Sequence, residues 1–122
     1  MAAKILVIDD DPNIRDVLGI HLRNAGYEVS TAKDGIEGGH AILQWHPDLI
    51  VTDAEMPHMN GFELIAAMRA DPTVPSIPVI MLTSESEWDD RGKKLGVEGY
   101  VTKPIRSDTL LFLIKRHLRR VA

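Results

Sequence analysis

Residues 5–12 read Ile5-Leu6-Val7-Ile8-Asp9-Asp10-Asp11-Pro12. Four apolar residues without alternation suit a strand of a parallel sheet that is covered on both faces. Three aspartates end it. Asp11 is placed to cap a helix and Pro12 fits a helical first turn, after which Ile14, Val17, Leu18 and Leu22 recur at helical spacing until Gly26 stops the run. A strand, an acidic turn and a helix therefore open the chain.

The same unit recurs downstream. Tyr27–Thr31 reads as a second strand, and residues 35–45 as a weaker helix, because Gly38 and Gly39 each cost about 1 kcal/mol relative to Ala in a helix interior. His46-Pro47 ends that helix. Asp48–Thr52 is the third strand with Asp53 at its exit, Met56–Gly61 is a loop, and Phe62, Leu64, Ile65 and Met68 mark the next helix. After a connector from Pro72 to Pro78, Val79–Leu82 is the fourth strand, and a polar helix is expected from about Glu85 to Leu95. Tyr100-Val101 sits in a short fifth strand before Lys103-Pro104. The last helix puts Leu110, Leu113, Ile114, His117 and Val121 on one face. Five strands alternating with five helices predict a three-layer α/β sandwich with right-handed crossovers, one domain filling residues 1–122.

Composition bounds the function. The 122 residues, 44% hydrophobic and 26% charged, suit a soluble globular protein. No apolar run approaches the ~20 residues that span a bilayer, and the start lacks a signal-peptide layout, so the expected compartment is the cytoplasm. Zero cysteines exclude disulfides, thiolate metal sites and cysteine nucleophiles. The net charge of −4 is uneven: residues 1–61 carry 10 acidic and 4 basic side chains, residues 62–122 carry 8 and 10. That balance disfavours direct nucleic-acid binding. The five histidines lack metal-ligand spacing, and no glycine pattern matches a phosphate-binding fingerprint.

The informative polar residues all follow strands: Asp9, Asp10 and Asp11 after the first, Asp53 after the third, Thr83 after the fourth, Lys103 after the fifth. Open α/β sheets place their ligands at those carboxyl ends. If strands one and three are neighbours, as in the order 2-1-3-4-5, a strand spacing of about 4.8 Å brings the Asp10 and Asp53 carboxylates within about 5–6 Å. Lys103, two strands away, has to lean across about 10 Å. Two acids about 6 Å apart repel by roughly 3 kcal/mol at an effective dielectric near 20. A hard divalent cation, Mg²⁺ above all, suits such oxygen ligands. With a metal on one side and Lys103 on the other, Asp53 becomes a carboxylate able to attack a phosphoryl group, to which Thr83 could donate.

Ile8-Asp9-Asp10-Asp11, Asp53-Ala54-Glu55-Met56-Pro57-His58-Met59-Asn60-Gly61, Leu82-Thr83-Ser84 and Gly99-Tyr100-Val101-Thr102-Lys103-Pro104 together resemble the receiver domain of two-component response regulators. The four motifs stand in order and span almost the whole chain. The resemblance implies a flavodoxin-like fold and a signalling phosphoacceptor rather than an enzyme, one that assists its own phosphorylation and dephosphorylation. It implies that Asp53 takes a phosphoryl group from a phosphohistidine on a sensor histidine kinase or phosphotransfer protein. It further implies Mg²⁺ held by Asp10, Asp53 and the backbone carbonyl of Glu55, with Asp9 acting through water. By the same likeness Lys103 pairs with the phosphoryl group, Thr83 shifts to bond it, Tyr100 turns inward as a switch, and Lys103-Pro104 is cis. The output would be a change in the face formed by the fourth helix, fifth strand and fifth helix, controlling a downstream protein by contact, without nucleic acid or membrane, as a monomer or weak phosphorylation-linked dimer.

Ile105 stands where the family usually has Phe, and Ser84 where it usually has Ala or Gly. Ile105 argues against close kinship with regulators that dimerise through that face. A haloacid-dehalogenase-type phosphatase also combines an Asp nucleophile, a hydroxyl, a Lys and Mg²⁺, but its nucleophile follows the first strand. A flavin-binding domain would need a hydroxyl- and glycine-rich phosphate loop where this chain has three aspartates.

Overall fold

The computed structural model describes residues 2–84 and 94–118. The elements are β1 (Lys4–Ile8), α1 (Pro12–Asn24), β2 (Glu28–Ala32), α2 (Gly35–Trp45), β3 (Leu49–Asp53), α3 (Gly61–Ala70), β4 (Val79–Thr83), β5 (Gly99–Thr102) and α4 (Ser107–His117). The helix expected from Glu85 lies outside the described residues except for Lys94 and Leu95, which are helical. All strand pairs are parallel, in the order β2-β1-β3-β4-β5, as the strand-end argument required.

The unbroken apolar runs explain the layering. Alternate residues of the central strands face opposite sides, so Leu6, Ile8, Ile50 and Met81 meet Ile42, Leu64, Ile65 and Met68 of α2 and α3. On the other face Ile5, Val7, Val51, Ile80 and Leu82 meet Leu18 and Leu22 of α1 and Leu110, Ile114 and Leu118 beside them. All five residues of β3 and of β4 are buried. β2, at the edge, keeps Glu28 and Thr31 exposed and begins one residue later than the sequence suggested.

Local signals set the boundaries. The Asp11 side chain accepts from the N–H of Asn13. Gly26, at φ 96°, takes the left-handed conformation that closes α1: its N–H reaches Arg23 O at 3.0 Å and that of Tyr27 reaches Leu22 O at 3.1 Å. Asn60 and Glu63 form a reciprocal capping box at the start of α3. Two expectations for buried faces change. Val17 is 50% exposed, on the solvent side of the α1 stripe. On α4, Leu113 and His117 are only half-buried, Leu118 completes the buried face, and Val121 lies outside the described residues.

Gly38 resolves the apparent weakness of α2. A Cβ there would stand 2.6 Å from Cδ1 of Ile8, so the glycine is what lets the helix lie close on β1.

Candidate functional site

Parallel pairing assembles the strand-end residues at one pole of the sheet. Ile8 pairs with Thr52, so Asp9 and Asp53 emerge side by side. Asp53 pairs with Leu82, and Thr83 with Thr102, which sets Thr83 and Lys103 on the adjoining strands. One carboxylate oxygen from each of Asp9, Asp10 and Asp53 lies within 4.8 Å of the others. Lys103 does lean across: its Nζ stands 3.2 Å from Asp53 Oδ2 and 3.4 Å from Asp9 Oδ2. The Lys103-Pro104 bond is cis.

The two neighbouring acids sit differently. Asp9 is wholly buried and Asp10 is exposed at the lip. One Asp9 oxygen accepts the N–H of Asp11 at 2.9 Å. The other, Oδ2, is buried without a hydrogen-bond partner and faces the Lys103 ammonium at 3.4 Å. Asp53 Oδ1 accepts the N–H of Glu55 at 3.2 Å, and the Glu55 side chain is exposed. Thr83 is buried at the end of β4, and its carbonyl accepts the Lys103 N–H at 2.7 Å. Tyr100 is half-buried, paired with Met81 in the sheet, and packs against the core on the α2 and α3 side.

One cation among three acids leaves the centre short of positive charge. Burial pushes the Asp53 carboxyl up to about 6; the Glu55 N–H and Lys103 hold it down, while Asp9 adds to the rise. Burial also raises Asp9, against the pull of the Asp11 N–H and Lys103. Partial burial works against the Lys103 ammonium, but Asp53 and Asp9 outweigh it and raise its pKa. A crowded, all-oxygen donor set with one buried carboxylate oxygen unbonded fits a hard divalent cation. Among the described residues these three acids are the group spaced to hold one.

Sequence reasoning missed two contacts. Lys103 touches Asp9 as well as Asp53, because Asp9 and not Asp10 turns inward. Arg15 donates from Nη1 to the Asp9 carbonyl at 2.7 Å. Its signal was available: the fourth residue of α1 directs its side chain back toward the acidic turn.

The family model for the response regulator receiver domain matches residues 5–115. The chain belongs to the response-regulator receiver family. Among solved structures, this receiver is similar to the chemotaxis response regulator CheY4 of Vibrio cholerae, with a TM-score of 0.91 and 38% identity over 97% of this chain and 100% of that one. It is 40% identical over 119 residues to the DNA-binding dual master transcriptional regulator RpaA of Synechocystis, covering 96% of this chain and 49% of the relative. The DNA-binding response regulator MtrA of Mycolicibacterium smegmatis is 34% identical over 122 residues, covering 98% and 52%. The receiver spans about half the length of these curated relatives. Among the described residues no helix is long and apolar enough to cross a membrane.

Proposed function

We propose that residues 1–122 act as one phospho-accepting receiver in which Asp53 takes a phosphoryl group from a phosphohistidine of a sensor histidine kinase or phosphotransfer protein. The observation that carries this reading is the Asp53 carboxylate at a strand end, 3.2 Å from the Lys103 ammonium and within 4.8 Å of two further acids. An Asp53 oxygen attacks phosphorus, the N–P bond to the donor imidazole breaks, and an acyl phosphate remains on Asp53. Asp10, Asp53 and the Glu55 carbonyl would hold Mg²⁺, with Asp9 acting through water; when bound, the cation neutralises charge on the phosphoryl oxygens.

Lys103, already beside the Asp53 carboxylate, moves its pairing to the phosphoryl group. The Thr83 hydroxyl donates to a phosphoryl oxygen, and Tyr100 turns inward as Thr83 shifts. The output is a change in the face that the expected fourth helix, β5 and α4 would form, read by a partner protein in the cytoplasm. The net charge of −4 favours protein over nucleic acid as that partner. In this role the receiver is a signalling phosphoacceptor that assists its own phosphorylation and dephosphorylation, and it works as a monomer or a weak phosphorylation-linked dimer.

The test is incubation with acetyl phosphate and Mg²⁺, followed by intact mass. The wild type gains one phosphoryl group and Asp53→Asn gains none. Equal gain in both proteins would remove Asp53 as the acceptor.

A further inference from the structure

We infer that Arg15 is a positioning residue for the acidic centre, fixing the Asp9-Asp10 peptide so that the Asp10 carboxylate is aimed at a divalent cation. The inference rests on the reading of this pocket as a cation-assisted phosphoryl site.

Asp9 is tied down at four points. Its N–H donates to Ala32 O at 3.1 Å, one carboxylate oxygen accepts the Asp11 N–H at 2.9 Å, and the other faces Lys103 at 3.4 Å. The fourth point is the carbonyl. It lies beyond the Ile8–Thr52 rung that ends the β1–β3 ladder, and Arg15 Nη1 donates to it at 2.7 Å from six residues along the chain. Of the four ties to Asp9, this one alone comes from a side chain outside the acid–lysine group.

Its effect passes to Asp10. The peptide unit is planar, so holding the Asp9 carbonyl also sets the Asp10 nitrogen and Cα. Asp10 is exposed and lacks the packing that fixes Asp9, so the orientation of that peptide sets the base from which its side chain reaches toward the cation. Arg15 is always charged and presents a rigid fork of donors, one of which holds the Asp9 carbonyl.

The experiment measures the Mg²⁺ dissociation constant of the full chain by calorimetry for wild type, Arg15→Met and Arg15→Lys. Arg15→Met keeps the stem and removes both donor and charge. Groups that orient metal ligands typically affect affinity by ~10-fold or more, so Arg15→Met is expected to bind Mg²⁺ about tenfold more weakly. Arg15→Lys, which restores a donor, is expected to return to within about threefold of wild type, by the same scale. A purely structural arginine would lower the unfolding midpoint and leave the dissociation constant in place. An Arg15→Met constant within about twofold of wild type, well inside the orienting-group effect, overturns the inference. A wild type that ignores Mg²⁺ overturns the cation reading instead. Hydrogen exchange in the metal-free protein then decides on Arg15 alone: faster exchange at the Asp10 and Asp11 amides of Arg15→Met sustains the positioning contact, and unchanged rates remove it.

Discussion

A proton binds Asp53 more tightly in the folded chain than in the unfolded one, because burial opposes its charge and Asp9 adds to that opposition. The folded carboxyl titrates at about 6 against 3.8 when free, so the folded state holds the extra proton between those values. Stability of the metal-free protein therefore falls as pH rises from about 4 to 6, by up to about 3 kcal/mol at 1.36 kcal/mol per unit. Asp53→Asn removes that loss. Denaturant unfolding in chelator at pH 4.5 and pH 7 checks it: the variant should gain on the wild type as pH rises, and a constant difference would contradict the burial argument. Lys103 makes a different prediction. Removing an ammonium removes no oxygen ligand, so Lys103→Ala should stay folded and bind Mg²⁺ yet fail to transmit. Beryllofluoride, which stands in for the phosphoryl group, should give amide shifts across residues 84–105 in the wild type and much smaller ones in the variant. Shifts of wild-type size would refute that role. At this scale the strand-end positions were legible, since polar residues after apolar runs stand out. Which of two adjacent aspartates turns inward was not, because successive residues leave a strand on opposite sides and the turn decides between Asp9 and Asp10.

At the scale of elements, glycines on one helix separate two kinds of constraint. Gly38 faces Ile8, with a Cβ position 2.6 Å from Cδ1, 3.3 Å from Cγ1 and 3.4 Å from Leu64 Cδ2, whereas at Gly39 the nearest atom is 3.8 Å away. Gly39→Ala should gain helix propensity at no steric cost and stabilise the protein by about 0.5–1 kcal/mol. Gly38→Ala gains the same propensity but forces a methyl against a fully buried side chain, and the net should be a loss of about 1–2 kcal/mol. Urea unfolding of both variants checks this; equal signs would show that α2 can lift off β1. Propensity alone made α2 look frail, and only the distance between helix and sheet shows why the penalty is retained. The strands needed no such correction, because Ile5–Ile8 and Val79–Leu82 can be buried on both faces only inside a parallel sheet. The capping box of Asn60 and Glu63 went unread inside what looked like a loop, and Leu118, four residues after Ile114 on the same buried face, was passed over because it caps the helix end.

For the whole molecule, crowded acids couple the pocket to global stability. A cation that binds the native state alone stabilises it by about 2.7 kcal/mol at a hundredfold excess over its dissociation constant, roughly 10 °C in melting temperature for a domain of this size. The wild type should melt higher with Mg²⁺, and Asp10→Asn should melt higher than wild type in its absence by relieving repulsion. Scanning calorimetry of both proteins with and without the metal is the check. A wild type indifferent to Mg²⁺, together with an Asp10→Asn that melts lower, would break the coupling.

The strand order has a consequence for biosynthesis. The walls of the pocket come from residues 9, 53, 83 and 103, and β1, which leads into Asp9, lies between β2 and β3 although it precedes both in the chain. Synthesis from the N-terminus therefore delivers the three acids of the pocket before the ammonium that stands beside Asp9 and Asp53. The pocket's acids thus wait for their ammonium until β5 and the residue after it have been made, and the charge pairing of the site is among the later contacts this receiver can form.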